Sequence, residues 1–193
     1  DAVGHRLYTA VFGAPRLVEP EELDTLLQNA SRAHEGHGFS PGFLRSEWLN
    51  VVDGWQLASW EAYRDVQRLG RRKRLPEAAR QTLWAIFADV RAALQERGWL
   101  TRAQMLARLT GTMPERKRPP YDFVVVDEAQ DVDVAQLRFL AALGAGRPNA
   151  LFFAGDLGQR IFQQPFSWKS LGVEIRGRAR TLKVNYRTSH QIR

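Results

Sequence analysis

The chain has 193 residues, a formal net charge of +7, cations that are mostly arginine, and no cysteine. It is long enough to bury one core or a core with a subdomain. The lack of cysteine excludes a disulfide framework, no apolar run has the length of a membrane span, and the N-terminus lacks the layout of a signal peptide, so the cytoplasm is the default location. The positive charge favours a polyanionic partner, although a generally Arg-rich proteome would give the same balance.

The N-terminal residues contain a short run that predicts a β-strand. Arg6 to Phe12 (RLYTAVF) is rich in β-branched and aromatic residues, and the Gly-Ala-Pro sequence at 13–15 would end the strand. We assign residues 1–19 to this strand, and its sheet partner stays open.

Residues 20–110 have the apolar spacing of successive helices. Helix starts are predicted at Pro20, Ser40-Pro41, Ser59, Pro76 and Thr101, where residues that favour first turns and caps occur. The helix from Ser59 is expected to run to Gly70. The helix from Pro76 is the most regular, and one of its faces carries Leu83, Ile86, Phe87, Val90 and Leu94. These residues predict a helical subdomain, which a Pro- and charge-rich linker at 111–120 joins to the rest of the chain.

A basic cluster follows the third of these helices. Arg71, Arg72, Lys73 and Arg74 are consecutive, and Arg64 and Arg68 precede them. Contact with nucleic-acid phosphates and a solvated basic loop both explain such a cluster.

The stretch from Tyr121 to Asp131 (YDFVVVDEAQD) predicts a strand that ends in acidic residues. The unbroken run from Phe123 to Val126 is typical of a parallel strand covered on both faces. Asp127 and Glu128 then lie at the carboxyl end of the strand, where open α/β sheets bind ligands. Two carboxylates there can divide nucleotide hydrolysis, one holding Mg²⁺ and the other activating water. A surface acidic turn is the alternative.

Two later stretches repeat the pattern of an apolar strand that runs into polar residues. They are Leu151 to Phe162 (LFFAGDLGQRIF) and Leu182 to Ser189 (LKVNYRTS). An apolar helix from Val134 to Leu143 separates the first from the acidic pair. Strand, helix and strand in this order predict a parallel α/β sheet with a crossover connection.

Together the motifs DEAQD, GDLGQRIF and NYRTS resemble the Walker B, third and fourth motifs of the UvrD/Rep-like superfamily-one helicases. Their order and spacing agree with that family over residues 121–193. The resemblance implies an α/β fold with a partial RecA-like parallel sheet of the P-loop NTPase type and an α-helical inserted subdomain. Residues 1–19 and 121–193 would form the RecA-like core, and residues 20–110 the insertion. The implied activity is ATP-dependent movement on single-stranded DNA and at duplex junctions.

The resemblance also implies roles for single residues around ATP and Mg²⁺. Asp127 would hold Mg²⁺ through water, Glu128 would be the general base, and Gln130 would belong to the nucleotide-binding set and link it to neighbouring motifs. Gln159 would sense the γ-phosphate, because a neutral amide can both donate to phosphate and bond to water. Tyr186 would stack on the nucleotide base, and Arg187 would stabilise charge that develops on the γ-phosphate.

Two aromatic residues are candidates for stacking on single-stranded bases. Phe166 and Trp168 follow the third motif, where the family places such an aromatic, and stacking contributes roughly 1–3 kcal/mol per base. The Gly-Trp-Arg-Gly continuation of the family is absent here. The sequence therefore leaves open which of the two stacks, and burial of Trp168 in a core is the alternative interpretation.

The phosphate-cradling loop G-x-x-x-x-G-K-[ST] does not occur in the chain. Because the family places that loop before the helical insertion, and because the chain begins with Asp1, we expect a middle fragment of a longer helicase that is inactive by itself. The alternative is a non-catalytic module that uses the same fold to bind nucleic acid or a protein.

Overall fold

The computed structural model describes residues 2–66, 75–156 and 167–182. In these ranges the chain is rich in helix and has a small sheet of two parallel strands, which is compatible with the α/β class. None of the helices described there is long and apolar enough to cross a membrane.

The N-terminal segment is a helix, so the prediction of a strand at residues 6–12 is wrong. Helix α1 spans Ala2–Phe12, and its buried residues Gly4 and Tyr8 are one helical turn apart. A Cβ at Gly4 would lie 2.7 Å from Leu106 Cδ2, so α1 lies close to the later helix that contains Leu106. Packing on a neighbouring helix therefore overrides the local β preference of this run.

Four helices and a π-helical turn form the first and largest apolar cluster. They are α2 (Pro20–Ala33), α3 (Pro41–Glu47), the π-helical turn (Trp48–Asp53), α4 (Trp60–Asp65) and α5 (Glu77–Glu96). The five predicted face residues of α5, from Leu83 to Leu94, are all buried. Aromatic rings fill the space between the helices, with the Trp48 and Phe87 centroids 5.7 Å apart. The helical character predicted for this region is confirmed.

The helix starts in this region follow the predicted capping chemistry. Pro20 begins α2, and the side chain of Ser40 accepts a hydrogen bond of 3.2 Å from the backbone N–H of Phe43. Helix α4 is shorter than predicted: it ends at Asp65 because Val66 has the extended ψ of 130°. The expected end at Gly70 lies outside the described residues.

Helix α6 (Arg102–Thr112) begins with the predicted capping box of Thr101 and Gln104. Its buried residues Met105, Leu106 and Leu109 contribute to a second apolar cluster, together with Tyr8 of α1. Gly111 and Thr112, which we assigned to a linker, still belong to this helix.

The sheet consists of β1 (Val124–Val126) and β2 (Leu151–Phe153), which pair in parallel with Val125 opposite Phe152. Helix α7 (Val134–Gly144) connects them and packs on one face, as the strand-helix-strand pattern predicted. The other face is open, with Phe123 74%, Val125 71% and Phe152 62% exposed. The expectation that β1 is covered on both faces is therefore wrong in this structure.

Candidate functional site

Asp127 and Glu128 follow β1 directly, at the carboxyl end of the parallel sheet. Both side chains are exposed, and Asp127 Oδ1 accepts a hydrogen bond of 2.9 Å from the backbone N–H of Glu128. This is the edge at which parallel α/β sheets bind ligands. The two carboxylates are therefore open to a ligand at the place that the sequence predicted.

The backbone of Glu128 is in the left-handed conformation, with φ 50° and ψ 44°. A residue other than glycine in that region costs on the order of 1 kcal/mol, and such strain concentrates at functional sites. The hydrogen bonds on either side hold the turn in place: Ala129 N donates to Ala154 O at 2.8 Å, and Asp131 N donates to Glu128 O at 2.9 Å. These hydrogen bonds thus hold the backbone of Glu128 in place, and with it the start of the side chain.

Gln130 joins the acidic pair to the end of β2. The residue is 5% exposed, and its Nε2 donates a hydrogen bond to Glu128 Oε2 at 2.6 Å. Its Oε1 accepts from the backbone N–H of Asp156 at 3.0 Å. The side chain of Gln130 therefore connects Glu128 to the backbone of Asp156 through two hydrogen bonds.

Gly155 leaves room for this link. A Cβ at Gly155 would lie 2.5 Å from Gln130 Oε1 and 2.7 Å from Ala129 N, which is closer than real Cβ contacts. Glycine is needed here because another part of the chain approaches its backbone, and not for an unusual φ. Sequence reasoning had identified this glycine only as part of the third motif.

Trp168 is a core residue. It is 9% exposed, and its ring meets Phe153 edge to face with the centroids 4.8 Å apart. Leu171 and Val173 belong to the same apolar cluster. A nucleic-acid base cannot stack on a ring that is covered in this way, so the stacking role predicted for Trp168 is wrong in this arrangement and burial in the core is the correct reading.

The other predicted site residues lie outside the described residues, and their roles stay predictions. They are Gln159, Tyr186 and Arg187 for the nucleotide, and Phe166, Arg71, Arg72, Lys73 and Arg74 for nucleic acid.

The chemistry of the described edge fits a hydrated Mg²⁺. Hard cations take oxygen ligands, and Mg²⁺ usually keeps several waters and binds one or two carboxylates. Exposed Asp127 supplies such a carboxylate. Over the ranges 2–66, 75–156 and 167–182, no group of three or more His, Asp or Glu side chains could hold a metal by itself. A magnesium ion at this edge would thus need water and phosphate oxygens to complete its ligands.

A second polar centre, which the sequence analysis did not identify, lies at the end of the π-helical turn. Asp53 is 6% exposed and accepts hydrogen bonds from Thr101 Oγ1 at 2.8 Å and from Gln56 Nε2 at 2.9 Å. Burial raises its pKa to about 6, against the lowering effects of these hydrogen bonds and of Arg91. A cavity of about 220 Å³ lies beside it. A carboxylate directly before Gly54 is the one local signal for this centre in the sequence.

One family model, the UvrD/REP helicase N-terminal domain, matches residues 64–168. The match covers more than half of the chain and includes the acidic pair, Gln130 and both strands. No curated protein and no solved structure matches the chain.

Proposed function

The chain belongs to the UvrD/REP helicase N-terminal domain family, and on this premise we propose that it carries half of the nucleotide site of an ATP-dependent DNA helicase. The observation that carries the proposal is the exposed acidic pair at the carboxyl end of β1, tied through Gln130 to the end of β2. Two parallel strands thereby present polar groups at a single edge of the sheet.

In this proposal Asp127 holds Mg²⁺ through water, and Glu128 takes a proton from the water that attacks the γ-phosphate. Mg²⁺, when bound, neutralises charge on the phosphates. Gln159 contacts the γ-phosphate and the attacking water, Tyr186 stacks on the base, and Arg187 stabilises the charge of the transition state. The sheet is then part of the first RecA-like domain, and the helices of residues 20–110 are its insertion.

Single-stranded DNA is the proposed second ligand. Phe166 is now the single candidate for base stacking between the two aromatics, because Trp168 is buried. The consecutive cations from Arg71 to Arg74 are proposed to contact phosphates, which would make binding depend on salt. The net charge of +7 supports a polyanionic ligand.

A longer protein that contains this chain together with a phosphate-cradling loop provides the test. We expect Glu128→Gln to retain ATP binding and to lower turnover by at least about 100-fold, because general acid–base catalysis contributes about 10²–10⁴-fold. Glu96→Gln, at an exposed position of α5, is the matched control and should leave turnover unchanged.

Three results would contradict the proposal. Unchanged turnover in Glu128→Gln would remove Glu128 from its role. Binding of DNA without any ATP turnover in the unsubstituted longer protein would favour the alternative of a non-catalytic binding module. DNA-stimulated ATP hydrolysis at a helicase-like rate by the 193-residue chain would contradict the expectation that this chain is inactive without the phosphate-cradling loop.

A further inference from the structure

Both the nitrogen and the oxygen of the Gln130 side-chain amide make hydrogen bonds within the protein. Its Nε2 donates to the carboxylate of Glu128, and its Oε1 accepts from the backbone N–H of Asp156. With the residue 5% exposed and both ends of its amide engaged, little of it is left for a nucleotide. Its direct assignment to nucleotide binding therefore does not fit this geometry.

The two partners of Gln130 require opposite hydrogen-bonding chemistry. An ionised carboxylate only accepts hydrogen bonds, and a backbone N–H only donates one. A side-chain amide satisfies both at once, with the oxygen toward Asp156 and the nitrogen toward Glu128. An ionised glutamate at this position would keep the acceptor, lose the donor and place a second negative charge beside Glu128. A methionine of similar length would lose both hydrogen bonds.

The contact on the β2 side allows little independent movement. Ala129 N donates to Ala154 O at 2.8 Å, and Ala154 N donates to Val126 O at 2.8 Å, so the chain after β1 and the chain after β2 are joined directly. Gly155 lies against Gln130 with no room for a Cβ. A shift of the backbone at Gly155 and Asp156 would therefore displace the Gln130 amide.

We propose that Gln130 is a positioning residue that couples the backbone at the end of β2 to the carboxylate of Glu128. The backbone at Gly155 and Asp156 would thereby set the position of the general base. This inference rests on the proposed role of Glu128 and adds its regulation. Gln130 itself touches no substrate.

The first test measures hydrogen exchange at the Asp156 amide in the 193-residue chain. In Gln130→Met we expect exchange at Asp156 to be at least about tenfold faster, because its acceptor is lost. In Gln130→Glu the acceptor oxygen remains, and the exchange rate should stay within about threefold of the original. Gln95→Glu, at an exposed position of α5, controls for the added charge and should change nothing at Asp156.

The second test measures nucleotide turnover in the longer protein. Both Gln130→Met and Gln130→Glu should lower kcat by about 10-fold to 100-fold, because a catalytic group misplaced by about 1 Å costs up to about 10²-fold. The KM for ATP should stay within about threefold, since no contact with the nucleotide is removed. Lower kcat with retained protection of Asp156 in Gln130→Glu separates the donor role from general support of the fold.

Two outcomes would overturn the coupling. One is unchanged exchange at Asp156 in Gln130→Met, which would mean that the hydrogen bond does not protect this amide. The other is a raised KM with unchanged kcat in Gln130→Glu, which would make Gln130 a nucleotide ligand. If Gln130→Met fails to fold, the kcat, the KM and the hydrogen exchange of Gln130→Glu decide whether the coupling exists. If the proposed function itself is wrong, Glu128→Gln will keep full turnover, and this result distinguishes that failure from failure of the coupling.

Discussion

Thr101 Oγ1 donates a hydrogen bond of 2.8 Å to Asp53 Oδ1, across 48 positions of the sequence. The same hydroxyl accepts from the backbone N–H of Gln104 at 3.0 Å and so also caps α6. One side chain thereby joins the π-helical turn of the large helical cluster to the helix that packs on α1 and α7.

Stability should depend on pH through Asp53. The pKa of its carboxyl is raised from 3.8 to about 6, chiefly by burial, while Arg91 lowers it and Asp133 raises it. Between these two values the Asp53 carboxyl is protonated in the folded chain but ionised in the unfolded chain. The free energy of unfolding should therefore fall by up to about 3 kcal/mol as pH rises from about 4 to about 6. Urea unfolding measured across this range gives the slope.

Asp53→Asn should remove most of that fall, because an amide does not titrate and its oxygen can still accept from Thr101. A smaller slope of the same sign should remain, since desolvation also raises the pKa of Asp133. Asp122→Asn, at an exposed position, should keep the full dependence. Equal slopes in Asp53→Asn and the unchanged chain would show that Asp53 does not cause the effect.

Gly155→Ala should destabilise the chain. The new Cβ would lie within 2.7 Å of Ala129 N, a backbone atom that cannot rotate away. Overpacking of this kind costs about 1–3 kcal/mol. Gly111→Ala is the control, because open space surrounds Gly111 in α6, and alanine there should stabilise the chain by up to about 1 kcal/mol. Thermal or urea unfolding checks both, and a neutral Gly155→Ala would contradict the close approach.

Arg138 of α7 should contribute to stability through Trp55. Its Nη1 donates to the Trp55 carbonyl at 3.0 Å, and its guanidinium lies 5.3 Å from the centroid of the Trp55 ring. Arg138→Met should lower the free energy of unfolding by about 1–3 kcal/mol, because a half-buried carbonyl loses its donor. Arg108→Met, at an exposed position of α6, should have an effect below about 0.5 kcal/mol. Equal effects of the two would contradict a specific contact.

The open face of the sheet predicts that Val125 tolerates a polar side chain. Val125→Thr should change the free energy of unfolding by less than about 0.5 kcal/mol, because this side chain is 71% exposed. Val132→Thr puts the same hydroxyl into an apolar cluster, where an unpaired hydroxyl costs about 1–3 kcal/mol. A similar loss in both variants would mean that the face is covered in solution.

The elements with strong local signals were predictable. Pro20 marks the first turn of α2, and the capping box of Thr101 and Gln104 marks the start of α6. Both signals lie within one turn of the helix that they start. The apolar face of α5 was equally clear, because its period of 3.6 residues is kept over about three turns, from Leu83 to Leu94. The segment from Arg6 to Phe12 was mispredicted because its aromatic and β-branched residues suit a strand locally, whereas contacts with α6 decide for a helix.

The sequence by itself determined where most helices begin, that two apolar strands flank a crossover helix, and that an acidic pair ends the first strand. Only the tertiary structure decided that Trp168 is buried, that one face of β1 is open, and that Gln130 joins Glu128 to Asp156. The reason is physical. Capping and periodicity act between neighbours in the chain, whereas burial and the partners of a polar side chain depend on residues that only the folded chain brings together.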